Sequence, residues 1–247
     1  MGLGDEILAL GEAEKRFADT KTPVAICKIG GYPRQHDAWK GSPAVDENSK
    51  NKIINGGGAR PYIKHWSGRK AVYNLDYEPK AGKIWLTESE KAHCDVDYPF
   101  IVISPHVKPT ASKNKEYDRW EEVIKDLPLP VLQLVPDDTI HIINGAKKVV
   151  TPHFRHACAW IAKAKLVLTN EGGAHHMAAS MGTPAIVYFG SFIPPTVTGY
   201  KDHVNIIAGD NPHFCGNFDY CKECHENKKK VSPDYIRSWV MEYLKDE

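Results

Sequence analysis

The sequence predicts an α/β protein built on a parallel sheet, and three observations carry the prediction. Short β-branched apolar runs recur from Phe100 onward, each bounded by turn residues. Stretches with helical spacing stand between them, which is the pattern of βαβ crossovers and of a sheet covered on both faces. The chain has 247 residues, enough for one large α/β unit or for two small lobes around a cleft.

Taken in order, the chain opens with Gly2-Leu3-Gly4-Asp5, read as a glycine turn. A helix follows, with Ile7, Leu8, Leu10, Ala13 and Phe17 on a 3.6-residue period. Pro23 to Ile29 reads as a short buried strand ended by Gly30-Gly31. From Tyr32 to about Arg69 the periodicity is weak and the composition is that of loop with short strand pieces. Glu88, Glu90 and Lys91 mark a short helix. The pattern sharpens near Tyr98. Strands are expected at Phe100–Ser104, Val131–Val135, within Ile140–Val150, and at Leu166–Thr169, Ala185–Phe189 and Val204–Ile207. Helices are expected at Tyr117–Leu127, Phe154–Lys163, Ala174–Met181 and Pro233–Leu244, the last with Ser232 as N-cap and Pro233 at its first position.

Composition narrows the function classes. Hydrophobic residues make up 42% and charged residues 26%, the balance of a globular protein in water. The formal net charge of +1 provides no overall field for nucleic acid or an anionic membrane, so such partners would need a local basic patch. No apolar run approaches the ~20 residues of a membrane span. The N-terminus lacks the basic-then-apolar layout of a signal peptide, so the six cysteines are expected as reduced thiols in a cytoplasm.

Three constellations are suited to chemistry. The first is Asn170-Glu171-Gly172-Gly173-Ala174-His175-His176, between a strand and a helix. Ligands of doubly wound sheets sit beyond the carboxyl ends of strands. Gly172 and Gly173 let a ligand approach the backbone, and the helix N-terminal amides suit a diphosphate. Glu171 can accept from ribose or sugar hydroxyls, and His176 can reach a phosphate. The plainer reading is a tight turn with histidines as surface or cap residues. The second constellation is Gly2-Leu3-Gly4-Asp5, where a backbone nest with Gly4 would face an anion or a sugar. Asp5 is then either an N-cap or a general base for an attacking hydroxyl. The third is Lys108, Lys113 and Lys115 after the Phe100–Ser104 strand, either an exposed basic loop or a source of charge for a leaving diphosphate.

These pieces, in this order, resemble the heptosyltransferase-like glycosyltransferase family 9, whose members include ADP-heptose:lipopolysaccharide heptosyltransferases. The resemblance is clearest from about Ile101 to Phe189. Phe154-Arg155-His156-Ala157 to Leu168 looks like the helix and strand before the family's donor loop. The stretch from Asn170 to Ala179 with Met181-Gly182-Thr183-Pro184 looks like its donor signature. The resemblance implies a GT-B-like fold, two Rossmann-like lobes around a cleft, and transfer without a bound metal or other cofactor. It implies donor contacts from Glu171, Gly173 and His176, Asp5 as catalytic base, and Lys115 as the phosphate-binding lysine, with Lys113 as its alternate. The family carries Asp and Ser or Thr where Glu171 and Gly172 stand, has a strand before the Gly-Asp loop, and has a longer acceptor lobe than Tyr32 to Tyr98 provides. The N-terminal lobe is therefore expected to be reduced. The corresponding division is 1–97 acceptor-side lobe, 98–231 nucleotide-sugar lobe and 232–247 a helix packing back.

Cys221-Lys222-Glu223-Cys224 has the spacing of a metal knuckle, and Cys215 with His225 or His213 would complete a zinc set. No second pair accompanies it, so free thiols are the alternative. The expected function is inverting transfer of a sugar from an ADP-heptose-like nucleoside-diphosphate donor to an acceptor hydroxyl on a glycan, a protein or a modified nucleic-acid base. A nucleotide-sugar epimerase or hydrolase is one alternative. A non-catalytic nucleotide-sugar or nucleic-acid-associated binding protein is another, and any of these is compatible with an oligomer.

Overall fold

The computed structural model describes residues 2–54, 60–108, 111–209 and 213–245. It begins with helix α1, Leu3–Thr20, followed by strands β1, Ala25–Cys27, and β2, Lys52–Ile54, paired in parallel. A hairpin of β3, Ile63–Ser67, and β4, Lys70–Tyr73, comes next, then the short helix α2, Glu88–Lys91. The second part runs β5 (Ile101–Ser104), α3 (Trp120–Ile124), β6 (Val131–Val135), β7 (Ala146–Val150), α4 (Phe154–Lys163), β8 (Leu166–Asn170), α5 (Gly173–Met181) and β9 (Ala185–Gly190). It ends with α6 (Pro195–Thr198), β10 (Val204–Ile207), α7 (Lys222–Lys229) and α8 (Pro233–Lys245).

Strands β5 to β10 form one six-stranded, all-parallel sheet in the order β10-β9-β8-β5-β6-β7. The chain winds outward from β5 in one direction and returns to wind outward from β8 in the other. Such a sheet has a crevice beyond the carboxyl ends of the two central strands. Those ends are Ser104 and Asn170, with Ser104 paired to Thr169. Residues two apart share a face of a strand, and the core divides accordingly. Ile101, Ile103, Leu166, Leu168, Ile186 and Tyr188 pack towards α3 and α8, whereas Val102, Val167, Val187 and Phe189 pack towards α4 and α5. The central strands β5, β8 and β9 are therefore apolar on both sides, which is why their runs look continuous rather than alternating.

The N-terminal lobe is reduced to α1 and the β1–β2 pair, with its own small core of Ala9, Leu10, Ala13, Val24, Ile26, Trp39 and Ile53. Helix α1 also packs along α5 of the large sheet, and Ile7 belongs to the core of that larger part. The two parts are latched by Arg155 of α4, whose side chain is 2% exposed. Its Nε donates to Glu90 Oε1 at 2.6 Å, its Nη1 to the Asp37 carbonyl at 2.7 Å, and its Nη2 to Glu90 Oε2 at 2.8 Å and to the Trp85 carbonyl.

Two expectations change in detail. The Gly2–Asp5 segment is not a turn preceding the helix. Gly2 is the N-cap and Asp5 is already the third helical residue. The helix expected over Tyr117–Leu127 is only Trp120–Ile124, and it ends where Lys125 leaves the helical region and Asp126 takes a φ of +58°. The β3–β4 hairpin, α6 and α7 were not anticipated as elements. Among the described residues no helix is long and apolar enough to cross a membrane.

Candidate functional site

A cleft of about 700 Å³ lies beyond the carboxyl ends of β5 and β8. One wall is the β8–α5 junction, Asn170 to Ala174 with His176, and the loop carrying Lys108 and Lys115. The facing wall is the start of α1, Gly2 to Asp5, with Arg60, Tyr62, Ile63, Ala71 and Tyr73 around the hairpin. The glycine-rich strand end and the N-terminal Gly-Asp segment, 165 positions apart in the chain, thus meet across one crevice.

On the first wall Glu171 is buried. Its Oε2 accepts from Lys115 Nζ at 2.7 Å, and its Oε1 lies 3.8 Å from His176 Nε2. Burial raises the Glu171 pKa, but the Lys115 ammonium and His176 outweigh it and hold the carboxyl well below the usual range. Gly172 has φ +154°, which L side chains rarely adopt, and a Cβ there would stand 3.8 Å from Lys115 Nζ. The lysine therefore sits directly over the N-terminus of α5. The first-turn amides of that helix have no intrahelical acceptor. A Cβ on Gly173 would make only ordinary contact with Leu3, at 3.9 Å. His176 Nδ1 is 2.7 Å from the Tyr200 hydroxyl, which fixes the ring. Its neighbour His175 is fully buried with neither ring nitrogen partnered, and burial, then His176 and His203, hold it neutral. Only one residue of the His-His pair therefore faces the cleft.

Asn170 organises this wall. Its Oδ1 accepts from the Tyr117 amide and from Trp120 Nε1 at 3.3 Å, and its Nδ2 donates to the Pro105 carbonyl. The loop bearing Lys115 is thereby tied to the end of β8. Lys113, two residues earlier, points elsewhere: it pairs with Glu116 at 2.9 Å and is 56% exposed. It does not line the cleft, so of the two candidate lysines the structure brings only Lys115 to the site.

On the second wall Asp5 reaches back over the helix start. Its Oδ2 accepts from the Gly2 amide at 3.0 Å and lies 3.2 Å from Arg60 Nη2, and its Oδ1 accepts from the Tyr62 hydroxyl at 2.6 Å. Asp5 is thus not the N-cap but the residue that caps the N-cap's own amide. Gly4 lines the cleft, yet packing already demands a glycine there: a Cβ would fall 2.2 Å from His176 Cδ2. Gly4 is where the two walls touch. Arg60, Tyr62 and Tyr200 were missed in the sequence, and no local signal marks them.

The cysteine cluster lies behind the hairpin wall. Cys215, Cys221 and Cys224 place their sulfurs within 4.8 Å of one another, and Cys224 Sγ donates to Cys215 Sγ at 3.1 Å. That hydrogen bond, followed by one from the Asn217 amide, lowers the Cys215 pKa against the effect of burial. His225 is not part of the set. It turns away to stack on Tyr220, ring centroids 4.7 Å apart. His213 is exposed and also outside it. Asn114 links the cluster to the first wall, accepting from the Cys221 amide at 3.0 Å and donating to the Asn217 and Asp219 carbonyls.

Comparisons with known proteins agree with this geometry. Residues 151–227 match the model of glycosyltransferase family 9 (heptosyltransferase), a stretch that contains α4, β8, the Glu171 junction and α5. No curated protein sequence matches the chain. Among solved structures it superposes on TibC, a bacterial iron-containing dodecameric glycosyltransferase from enterotoxigenic E. coli H10407. The TM-score is 0.70 at 13% identity, over 100% of this chain and 74% of TibC. The TibC complex with ADP-D-β-D-heptose, described as an iron-containing heptosyltransferase, gives 0.69 at 12% identity over 97% and 73%. A family 9 glycosyltransferase from Veillonella parvula DSM 2008 gives 0.69 at 13% identity over 100% and 96%. At these identities the likeness is one of fold, and the fold is GT-B-like.

Proposed function

We propose that this chain, similar to glycosyltransferase family 9, transfers a sugar from a nucleoside-diphosphate donor to an acceptor hydroxyl with inversion. One observation carries the reading: at the crevice of the sheet, a lysine over an open helix N-terminus faces a carboxylate on a different helix across a cleft large enough for a nucleotide sugar. Diphosphate charge developing on the leaving group is met by Lys115, His176 and the α5 amides. Gly173 leaves room that the protein's own packing does not need, where a ligand can contact the backbone. Glu171 accepts from donor hydroxyls while Lys115 turns from it to phosphate. Asp5 removes the acceptor proton. The ADP-D-β-D-heptose bound to TibC supports an ADP-heptose-like donor. Residues 98–231 act as the donor lobe, 1–97 as the acceptor side and 232–247 as the helix closing on them. We further place the protein in a cytoplasm, and the dodecameric TibC supports an oligomer.

Calorimetry with ADP-heptose, alongside donor hydrolysis with and without candidate acceptors, tests this. Glu171→Ala and His176→Ala should each weaken donor binding, the former by roughly 1–3 kcal/mol. Unchanged affinity in both removes the donor-site assignment. A hydrolase or epimerase would consume the donor with no acceptor dependence, and a binding protein would not consume it.

The three-thiol cluster supports a second, separate reading, a structural metal centre. A depressed thiol beside two others is suited to a soft or borderline cation such as zinc or iron, and TibC is iron-containing. Metal analysis of the purified protein, repeated on a Cys215→Ser variant, tests it.

A further inference from the structure

Resting on the donor site proposed above, we infer that Tyr200 is a positioning residue that fixes His176 as the neutral tautomer with its proton on Nε2, aimed at the diphosphate of the donor. A neutral imidazole donates from one nitrogen and accepts at the other, so the surroundings of each nitrogen decide which carries the proton. His176 lies near the start of α5 and is 3% exposed. Its ring is pinned at one edge by Gly4, where a Cβ would fall 2.2 Å from His176 Cδ2. Tyr200 lines a separate cavity and not the donor cleft, so its influence on a ligand passes through His176.

The two ring nitrogens meet opposite surroundings. Nδ1 is 2.7 Å from the Tyr200 hydroxyl. Burial, followed by Tyr77 and Glu171, raises the Tyr200 pKa well above the ordinary value, so this hydroxyl keeps its proton at any working pH. Tyr200 is itself held in place. Its carbonyl accepts from Asn205 Nδ2 at 3.1 Å and from the His203 amide at 3.2 Å, and its ring packs on those of His175 and His203 with centroids 4.9 and 5.5 Å away. Nε2 faces an anion instead. Glu171 Oε1 is 3.8 Å away, longer than a hydrogen bond. Against the effect of burial, Lys115 and His176 keep that carboxyl ionised and therefore acceptor-only. A proton on Nδ1 would turn the Nε2 lone pair towards this carboxylate and towards any phosphate beside it. A proton on Nε2 is attracted to both, and Nδ1 then accepts from Tyr200. Both sides of the ring thus select the same tautomer, and Tyr200 sets the direction of the N–H. Lys115 and the α5 amides bring charge to this wall, whereas His176 brings one directed donor.

The test uses protein with ¹⁵N-labelled histidine, and Tyr200→Phe, His176→Ala and the double variant made in parallel. Ring-nitrogen shifts are recorded at about pH 8, above the ordinary histidine range. His176→Ala assigns the His176 signals, and ADP affinity is measured by calorimetry. The expected wild-type spectrum has the His176 proton on Nε2 and Nδ1 as a hydrogen-bonded acceptor. In Tyr200→Phe the Nδ1 signal should move and ADP should bind about 3- to 10-fold more weakly. The double variant should bind no more weakly than His176→Ala alone. A wild-type proton on Nδ1 overturns the inference, and that result needs no variant to fold. So do unmoved His176 shifts or an unchanged ADP affinity in Tyr200→Phe, or losses that multiply in the double variant. A wild-type protein that does not bind ADP, or a silent His176→Ala, sinks instead the donor-site reading beneath it, and the nitrogen shifts still decide the tautomer.

Discussion

The two walls of the cleft are built in opposite ways. The wall proposed to hold the donor is mostly local: Asn170, Glu171, Gly172, Gly173 and His176 lie within seven consecutive positions at one strand-to-helix junction, and Lys115 joins them from the loop after β5. The facing wall, proposed to hold the base, is assembled at a distance. Asp5 comes from α1, Arg60 and Tyr62 come from the segment before β3, and the hairpin carrying them is fixed by the loop around Gly216. A wall placed mostly by one junction depends on that junction's own geometry, whereas a wall assembled from distant pieces depends on the docking of each of them.

The largest effect that can sharpen this contrast is on the base wall. In Asp5→Asn the amide oxygen can still accept from the Gly2 amide, but the ion pair with Arg60 is lost, so the melting temperature should fall modestly. If Asp5 is the base, turnover should fall by something like 10²–10⁴-fold, with donor affinity little changed. Near-normal turnover, whatever the melt, would remove Asp5 as the proposed base and leave this wall without chemistry. Next is the point where the walls meet. Gly4→Ala forces a Cβ into the His176 ring, and overpacking of this kind costs about 1–3 kcal/mol. It should lower the melting temperature and weaken ADP-heptose binding together; normal donor affinity in a destabilised protein would show that His176 does not report on the donor.

A metal experiment separates the cleft from the thiols. Turnover should need no added magnesium or manganese after EDTA treatment, and a strict requirement for either would break the account of the donor wall. The smallest expected effect concerns the latch between the lobes. The Arg155 hydrogen bonds hold the Glu90 pKa at about 2, against an ordinary value of 4.5. A depressed carboxylate contributes stability that is full above its unfolded value and is lost as pH falls through the folded one. Melting temperature should therefore decline between pH 4.5 and about 2, and Glu90→Gln should start lower and flatten that decline. An identical pH profile in the variant would remove Glu90 from the latch.

The same contrast explains what the sequence made legible. Strands β5, β6, β8 and β9 are buried along nearly their whole length, so their apolar runs announced them, and the Asn170–His176 junction was visible because its residues are adjacent. The hairpin was obscure because β3 is almost wholly exposed and carries Lys64, His65 and Trp66 without alternation. Helix α7, Lys-Glu-Cys-His-Glu-Asn-Lys-Lys, has no apolar stripe to reveal it. Lys113 and Lys115 sit at two ends of one 3₁₀ turn, and composition alone cannot say which end faces inward. His225 follows Cys224 on a helix, where one residue turns the side chain by about 100°, enough to remove it from the sulfurs. Tyr62 and Arg60 could not be found at all, because only the docking of the hairpin brings them to Asp5.

The buried Arg155 has a consequence for how such a cleft can work. Separating the two parts by a hinge would take a guanidinium from the Glu90 carboxylate and from two carbonyls at once, and water would have to replace every one of those hydrogen bonds. On the proposed reading, this latch favours a cleft whose two walls are already set before substrates arrive. A preorganised site of this kind gives up the gating that lobe closure provides. It gains from having no conformational population to shift before the reacting groups are aligned.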